Sequence, residues 1–481
     1  MLKKLQLVSI ILLFTSCTQV EQKPEYSFDL EAIKERGTLK AITSYSPLSY
    51  FIYRGEPMGY EYELLKLLSD SLDVELELLL AKDLDDMIEM LNSGQGDLIA
   101  YSLTIIKERA ERIDFTTALN TTRQVLVQKK PDTWRSMRIH EVEAQMTRNP
   151  IDLDGETVYV RKGSSYVPRL RNLAEEIGGS INIIEASSGT STDDLIRHVA
   201  EDSIRYTVSD ENIAKVNQSY YPIIDINTPI SLPQQTAWAV RKNSPELLEA
   251  INQWIQTMQT QSDYYVIYNK YFENTRAYSN RARNNFLSFQ GGQISEYDDL
   301  IIEYSANTNL DWKLLAALIY QESQFDAKAR SWAGAVGLMQ LMPGTAEAYG
   351  AANPINPSEN IEAGSKFIQW LENYWIDKIP DEEERVNFII ASYNVGQGHV
   401  QDARRLTEKY GGNPDLWEDV SQYLIKKTEE KYFNDEVVYY GYCRGEEPVN
   451  YVRNIMYIYN HYKQVAMFHD TYNYEPELAT N

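Results

Sequence analysis

The sequence predicts two folded domains, an α/β domain followed by a mainly α-helical one. The chain has 481 residues, more than one ordinary domain holds. Between residues 38 and 100, strand-like runs alternate with helix-like segments, which is typical of βαβ units around a mainly parallel sheet. Beyond residue 296, apolar residues recur at the helical period and no long strand pattern is found.

Composition narrows the classes of partner. Hydrophobic residues make up 43% of the chain, enough for packed cores, and the formal net charge is −24 at pH 7. Binding to phosphate groups needs clustered Lys and Arg, so nucleic acid is not expected as a partner. We expect neither a cofactor nor a bound metal ion.

The N-terminus predicts export and lipid anchoring. A basic start, Met1–Lys4, precedes an apolar run over residues 5–14 that is too short to cross a membrane. Thr15-Ser16-Cys17 follows and resembles a bacterial lipoprotein processing site, where Cys17 becomes the lipidated N-terminus. An ordinary signal peptide with an incidental cysteine is the alternative.

These features predict a signal peptide over residues 1–16, a polar tether over 17–37 and an acyl anchor in a membrane. Thr18, directly after Cys17, is not acidic. An acidic residue at that position typically retains a lipoprotein in the inner membrane, so the protein is expected at the periplasmic face of the outer membrane. Cys443 is the only other cysteine, so no structural disulfide is expected.

The elements of the first domain follow in order. The predicted strands are Leu39–Ile42, Val74–Leu78 and Asp97–Ala100, and the predicted helices begin at Gly59 and Asp85. After them, Leu103-Thr104-Ile105 through Arg109 and then Ile113–Thr116 resemble the type II periplasmic solute-binding proteins of the amino-acid-binding family. The resemblance covers residues 38–275 and implies two α/β lobes that close around a ligand. The second lobe would begin near Gln128, and the chain would return to the first lobe after about Tyr221.

The same resemblance implies two ligand-binding residues, Arg109 and Asp210. In that family an Arg after the Thr-Ile segment binds the ligand α-carboxylate through a fork of two hydrogen bonds, which Lys cannot supply. An acidic residue of the second lobe, here Asp210, holds the ammonium group. Ile106 stands where the family usually has Thr, so the ligand stays unidentified. A surface ion pair is the alternative for Arg109.

Residues 276–295 are polar and predict a linker to a second domain over 296–481. Helical spacing there predicts Tyr297–Thr308, Trp312–Gln321, Gly344–Tyr349, Ile361–Trp375, Glu382–Tyr393 and Tyr451–Met467.

Glu322 stands where the second of these helices ends. Leu314, Leu318 and Ile319 fall on one face, and Asp311 is suited to cap the start. Burial and the negative end of the helix dipole would both raise the pKa of Glu322. A carboxylic acid protonated near neutral pH can give its proton to a leaving oxygen. Taken alone, Glu322 is more simply interpreted as one of 70 acidic residues on a solvated face.

Four motifs in order change that interpretation. They are Glu322-Ser323, Gly337-Leu338-Met339-Gln340, Ala391-Ser392-Tyr393-Asn394 and Asn450-Tyr451-Val452. Together they resemble the catalytic domain of family 1 of the peptidoglycan lytic transglycosylases, the soluble-lytic-transglycosylase type, with its lysozyme-like α fold. Glycoside cleavage usually employs two carboxyl groups, and no second acid here has a convincing motif. The resemblance implies that Glu322 alone serves as acid and then as base.

The resemblance also implies the substrate-binding residues Ser323, Met339, Gln340, Tyr393, Asn394 and Tyr451. Tyr451 would orient Glu322 or contact the sugar acetamido group, and Met339 and Gln340 would line the sugar groove. A helix-end role for Ser323 and Asn394 and a core role for Met339 are the alternatives. Pro448 stands where many relatives carry Thr, which weakens the last motif.

The sequence therefore predicts an enzyme acting on peptidoglycan glycan strands, with a first domain that binds a muropeptide or an amino acid and regulates the activity. A non-catalytic cell-wall-sensing lipoprotein and a lysozyme-type hydrolase remain as alternatives.

Overall fold

The computed structural model describes residues 29–274, 293–306 and 308–472. It shows a two-lobed α/β domain followed by a helical domain, which confirms the predicted fold class. The predicted signal peptide, the lipidation candidate Cys17 and most of the predicted linker over 276–295 lie outside the described residues.

The first lobe is built on a mixed sheet. In spatial order its strands are Glu75–Leu80, Thr38–Thr43, Leu98–Thr104, Gln234–Val240 and Asp114–Phe115, with Asn120–Thr122 also paired to Gln234–Val240. The three strands predicted from the sequence pair in parallel. Gln234–Val240 pairs antiparallel because the chain re-enters the lobe from the opposite end. The predicted parallel pairing is confirmed for the strands of residues 38–104, whereas the complete sheet is mixed and not mainly parallel.

Helices cover this sheet. They are Leu30–Arg36, Tyr60–Leu72, Leu84–Asn92, Lys107–Ala110, Pro245–Met258 and Ser262–Tyr268, followed by a π-helical turn over Asn269–Glu273. Leu30–Arg36 lies inside the predicted tether, yet its Ile33 is fully buried. Asp29 caps this helix and also accepts hydrogen bonds from the backbone of Glu246 and Leu247. The predicted tether is therefore too long, since residues 30–36 pack as part of the first lobe.

The second lobe has its own five-stranded sheet. In spatial order its strands are Asn182–Glu185, Thr157–Val160, Tyr206–Asp210, Gln124–Lys129 and Ile224–Pro229. Its helices are Ile139–Glu143, Tyr166–Ile177, Thr192–Ala200 and Glu211–Tyr220, with a 3-10 turn over Pro150–Leu153. Ile224–Pro229 still belongs to this sheet, so the chain returns to the first lobe later than the predicted Tyr221.

The second domain is helical. Its helices are Asp298–Ser305, Trp312–Ser323, Pro343–Tyr349, Pro357–Trp375, Glu382–Val395, Gln397–Lys409, Trp417–Lys426, Glu430–Phe433 and Glu446–Tyr472. Every helix predicted from apolar spacing is present, whereas the three between residues 397 and 433 were not predicted. Within the described ranges, no helix is both long and apolar enough to cross a membrane.

The two domains share a packed interface. The first lobe contributes a β-hairpin, Phe51–Tyr53 and Glu56–Met58, that the sequence did not predict. The last helix, Glu446–Tyr472, packs against it: the Tyr462 hydroxyl donates to the Gly55 carbonyl at 2.8 Å. Nearby, the Tyr50 hydroxyl and His461 Nδ1 lie 2.7 Å apart. The last helix therefore belongs both to the core of the second domain and to the interface between the domains.

Candidate active site

Glu322 occupies the last turn of helix Trp312–Ser323. As predicted, the Asp311 side chain caps the start of this helix, accepting a hydrogen bond from Lys313 N at 3.0 Å. The helix is anchored by an apolar face, whose buried members are Leu314, Leu315, Ala316, Ala317, Leu318 and Ile319. Gln324 and Phe325, with φ of 51° and 62°, end the helix in the left-handed region. The Glu322 carboxylate is thus held on a rigid support.

The carboxylate of Glu322 is half-buried. Burial raises its pKa from 4.5 to about 7, and a hydrogen bond from the Tyr451 hydroxyl to Oε1 partly opposes that rise. Burial favours the neutral acid, whereas the Tyr451 hydroxyl stabilises the carboxylate. With a pKa near 7, the group holds a proton and releases it with comparable ease at neutral pH.

A second tyrosine approaches the same carboxylate from another helix. The Tyr393 hydroxyl, from helix Glu382–Val395, donates to the Met339 carbonyl at 2.7 Å. Burial, and after it the charge on Glu322, raises the pKa of the Tyr393 and Tyr451 hydroxyls well above their ordinary value. Both tyrosines therefore remain neutral hydrogen-bond donors beside Glu322.

The loop after the Glu322 helix is fixed by side chains. The Ser323 hydroxyl lies 2.7 Å from the Leu338 carbonyl and 3.1 Å from the Ile319 carbonyl, so it joins the loop to the helix. Gln340 Nε2 donates to the carbonyls of Ala329 and Gly337, at 3.1 and 2.8 Å. In this arrangement both side chains shape the loop.

Asn360, which sequence reasoning missed, holds the loop from beneath. Its fully buried amide accepts a hydrogen bond from Met339 N at 2.7 Å and donates to the carbonyls of Val336 and Pro354. Gly337 has φ of 85°, and a Cβ there would come within 2.2 Å of the Pro354 carbonyl oxygen. Asn360 stands directly before the predicted helix start at Ile361, whereas the structure begins this helix at Pro357, so no sequence pattern indicated its role.

Two of the predicted substrate-binding residues lie in contrasting settings. Met339 is fully buried, and a Cβ at Gly364 would come within 2.2 Å of its sulfur. Met339 is therefore a core residue, which corrects its prediction as a groove residue. Asn394 is exposed, and Gly396, not Asn394, caps the end of its helix. The Asn394 side chain is thus accessible to a ligand.

Asp326, the nearest acid along the chain, is exposed and accepts a hydrogen bond from Lys328 N in its own loop. In the part of the chain that the structure describes, no cluster of His, Cys, Asp and Glu side chains is placed to hold a metal ion. In contrast to exposed Asp326, Glu322 is half-buried and has a raised pKa, which makes it the candidate acid–base group of this site.

The first domain has a separate cavity between its lobes. Arg109 and Asp210 both line it and are 6% and 7% exposed. Arg109 donates to the Thr104 carbonyl and, across the cleft, to the Gly163 carbonyl, each at 3.1 Å. These bonds contradict the alternative of a surface ion pair for Arg109. Burial raises the pKa of Asp210 to about 6, and the Tyr166 hydroxyl bonds its Oδ2.

Comparisons with known proteins agree with this architecture. The family of bacterial extracellular solute-binding proteins, family 3, matches residues 38–274, and the transglycosylase SLT domain matches residues 299–416. A structure of a mutant of ArgBP from T. maritima is 24% identical, with a TM-score of 0.44, covering 51% of this chain and 99% of that one. The two family matches define a class of two-domain protein, a solute-binding domain joined to a transglycosylase domain.

Curated relatives match nearly the whole chain. A membrane-bound lytic murein transglycosylase F from Desulfosudis oleivorans is 34% identical over 90% of this chain and 91% of its own length. Those from Pseudomonas fluorescens and Photobacterium profundum are each 32% identical, over 95% and 94% of this chain and 90% and 85% of their own lengths. The chain belongs to the membrane-bound lytic murein transglycosylase F family.

Proposed function

We propose that this protein cleaves the β-1,4 bond between N-acetylmuramic acid and N-acetylglucosamine in peptidoglycan without consuming water. Family membership and the transglycosylase domain support an enzyme of this type. The observation that carries the mechanism is one half-buried carboxylate, Glu322, whose pKa burial raises to about 7. A single group with that pKa suits a reaction that needs an acid and then a base.

In the first half of the reaction, protonated Glu322 gives its proton to the glycosidic oxygen, and the bond from that oxygen to C1 breaks. The substrate's own 2-acetamido group stabilises the positive charge that develops at C1. The Tyr451 hydroxyl stabilises the new carboxylate, because it donates a hydrogen bond to Oε1.

In the second half, the Glu322 carboxylate takes the proton of the C6 hydroxyl as that oxygen attacks C1. A 1,6-anhydro ring forms, and Glu322 ends protonated, ready for the next cycle. The protons balance within one carboxyl group, so neither water nor a second acid is required. We propose that the exposed Asn394 contacts the glycan, while Ser323, Gln340 and Tyr393 hold the loop and groove in shape.

Mass spectrometry of digested sacculi tests this mechanism. Wild-type protein should release anhydro-ended muropeptides, and Glu322→Gln, which keeps the shape but removes the transferable proton, should release none. Asp326→Asn, which removes an exposed carboxylate from the same segment, serves as the matched control and should behave as wild type. Reducing ends in place of anhydro ends would show a lysozyme-type hydrolase, and no product would leave only a binding protein.

We propose further that a small ligand in the first domain regulates this activity. Support comes from the last helix, in which Tyr451 bonds Glu322 and Tyr462 bonds the first-domain Gly55. The same glycine lies against the rings of Tyr320 and Phe325, which flank Glu322 along the chain. A movement of the first lobe would therefore reach Glu322 by two routes. One is the last helix, which carries Tyr451, and the other is the segment from Tyr320 to Phe325, which carries Glu322 itself.

A rate titration tests the regulation. Cleavage of sacculi is measured with rising concentrations of amino acids and of muropeptides, and one of them should change the rate of anhydro release. Tyr462→Phe removes the hydrogen bond to Gly55, so it should weaken that response and leave the basal rate near wild type. An unchanged rate with every ligand would contradict regulation while leaving the cleavage mechanism untouched.

The family name describes membrane-bound proteins, and we propose that Cys17 supplies the anchor by lipidation. The absence of an acidic residue at position 18 supports the periplasmic face of the outer membrane as the location.

A further inference from the structure

A row of aromatic rings leads away from the candidate active site along one side of the second domain. The ring of Tyr393, which lies beside the acid–base carboxylate, packs against that of Phe367 with 5.3 Å between the ring centroids. The centroids of Phe367 and Trp370 lie 6.2 Å apart, and those of Trp370 and Tyr374 lie 5.9 Å apart. We call Phe367, Trp370 and Tyr374 the aromatic row. It begins at the active site and follows the surface of helix Pro357–Trp375.

The aromatic row is not the face that anchors this helix. Phe367, Trp370 and Tyr374 are spaced by three and four positions, so they line up on one side of the helix. Trp370 is 41% exposed, and the other two are partly buried. The helix is anchored in the core by other large side chains, namely Ile361, Ile368, Leu371 and Trp375. A continuous aromatic surface that the core does not require is typical of a binding site.

The rings of the row do not cover one another. The plane of Trp370 is inclined by 19° to that of Phe367 and by 26° to that of Tyr374. Atoms in full face-to-face contact lie about 3.5–4.0 Å apart, so nearly parallel rings with centroids about 6 Å apart are displaced sideways. Lys378 Nζ lies 3.8 Å from the centroid of the Tyr374 ring and occupies one of its faces. Trp370 is therefore the most open ring of the row.

A second exposed ring borders the row from a different element. Tyr440 is 60% exposed, and its ring lies over Gly398, where a Cβ would come within 2.5 Å of the ring carbons. The hydroxyls of Tyr440 and Tyr374 are close enough to interact electrostatically. Gly398 follows shortly after the exposed Asn394 in the chain. Tyr440 thus borders both the aromatic row and the segment that carries Asn394.

The backbone around Tyr440 is held from inside the domain. Asp402 and Lys427 are both fully buried, and their side chains form an ion pair at 2.9 Å. The Asp402 carboxylate also accepts hydrogen bonds from Tyr439 N at 2.9 Å and from Tyr440 N at 2.8 Å. Arg405 pairs with the same carboxylate, and its guanidinium lies 4.3 Å from the centroid of the Tyr439 ring. The segment is fixed while the Tyr440 ring stays in solvent, so little freedom is lost when a ligand packs on that ring.

We infer that the aromatic row and Tyr440 form an additional binding site for the glycan strand, at sugars away from the bond that is cleaved. The inference rests on the proposed cleavage of peptidoglycan, and it names where the strand is held beyond the active site. Sugar rings have faces rich in C–H groups that pack on aromatic rings, and a Tyr hydroxyl adds a hydrogen-bonding group. The open rings of Trp370 and Tyr440 supply such surfaces, and the contact of Phe367 with Tyr393 joins them to the active site.

Co-sedimentation with purified sacculi tests the inference. The full-length Glu322→Gln protein is the parent, because it should bind sacculi without cutting them. Trp370→Ala and Tyr440→Ala, each added to the parent, should weaken binding about 3- to 10-fold, as expected for the loss of one aromatic contact. Tyr265→Ala is the matched control, since Tyr265 is a tyrosine of the first domain that is 57% exposed, and it should bind as the parent does. Unchanged affinity in either Trp370→Ala or Tyr440→Ala would overturn the inference.

Conservative variants separate a stacking role from a structural one. Trp370→Phe and Tyr440→Phe keep an aromatic ring, so they should retain most of the binding that the Ala variants lose. Thermal unfolding of each variant identifies any that has lost its fold. A folded Phe variant that binds as weakly as the Ala variant would contradict stacking.

Peptide-free glycan strands identify the part of the substrate that the rings hold. Strands from which the stem peptides have been removed should displace the parent protein from sacculi, and they should displace it less well when Trp370 is replaced by Ala. Strands that fail to compete would show that the rings bind the peptides or another partner, which would overturn the inference.

Kinetics on long glycan strands provide a second readout in the protein that retains Glu322. A contact far from the reacting atoms stabilises the bound substrate and the transition state equally, so Trp370→Ala should raise KM and change kcat little. A fall in kcat with KM unchanged would contradict a binding role at distant sugars.

The binding and cleavage experiments fail independently, because sedimentation of the Glu322→Gln protein needs no cleavage. Binding that depends on the rings, in a protein that releases no anhydro-ended product, would support the additional site and contradict the proposed reaction. Anhydro release by a protein whose binding ignores both rings would support the reaction and contradict the site.

Discussion

Replacing Glu322 by Gln should abolish cleavage and, above neutral pH, stabilise the fold. Burial raises the pKa of Glu322 from 4.5 to about 7, so the folded state holds this proton more tightly than the unfolded state does. The contribution of Glu322 to stability is therefore complete below pH 4.5 and is lost as the pH rises through about 7. Each pH unit between those values costs about 1.4 kcal/mol, which gives a loss of up to about 3 kcal/mol.

The amide of Gln does not ionise, so the Glu322→Gln protein does not lose this stability as the pH rises. At pH 8 the Glu322→Gln protein should be more stable than wild type by about 2–3 kcal/mol, and at pH 4.5 the two should be nearly equal. Calorimetric or urea unfolding at both pH values measures the difference, with the transition of the second domain followed separately.

Asp326→Asn provides the control for the change in net charge, because Asp326 is exposed in the same segment. A Glu322→Gln protein that is no more stable than wild type at pH 8, or equally stabilised at both pH values, would refute the argument. The carboxylate would then not be held in a raised-pKa environment, and a single acid–base group would lose its physical basis.

Three further predictions concern separate parts of the protein. Tyr451→Phe removes a hydrogen bond that favours the Glu322 carboxylate, so the falling limb of the pH–rate profile should move up by about one pH unit; Tyr393→Phe, which loses only a bond to a backbone carbonyl, should leave the limb in place. Asn360→Ala leaves the loop's buried backbone groups unpaired, so it should lower the thermal stability and reduce the rate of anhydro release at least about tenfold. An unchanged rate would contradict the positioning role of Asn360. Cys17→Ser should move the protein from the membrane to the soluble fraction on cell fractionation, and continued membrane retention would exclude lipidation as the anchor.

The ordered motifs and apolar spacing were enough to predict the domain order, the long helices of the second domain and the placement of Glu322 at a helix end. Each of these depends on a local pattern, since a 3.6-residue period and a capping residue act within a few turns. The helices Gln397–Lys409 and Trp417–Lys426 were missed because they are rich in polar residues and bury only narrow apolar faces. Glu430–Phe433 was missed because it is a single turn with no buried residue.

By itself, the sequence was enough to name Glu322, Tyr451 and Arg109 as candidate site residues, because the motifs that contain them can be recognised from residue identities alone. Only the tertiary structure decided which of those residues contact one another and how deeply each is buried. It places Tyr451 on Glu322 across 129 positions of the chain and seats Asn360 beneath the loop. It also gathers Arg109, Arg161 and Asp210 around one small cavity. The physical reason is that pKa and charge balance depend on burial and on neighbours distant in sequence, which no local pattern encodes.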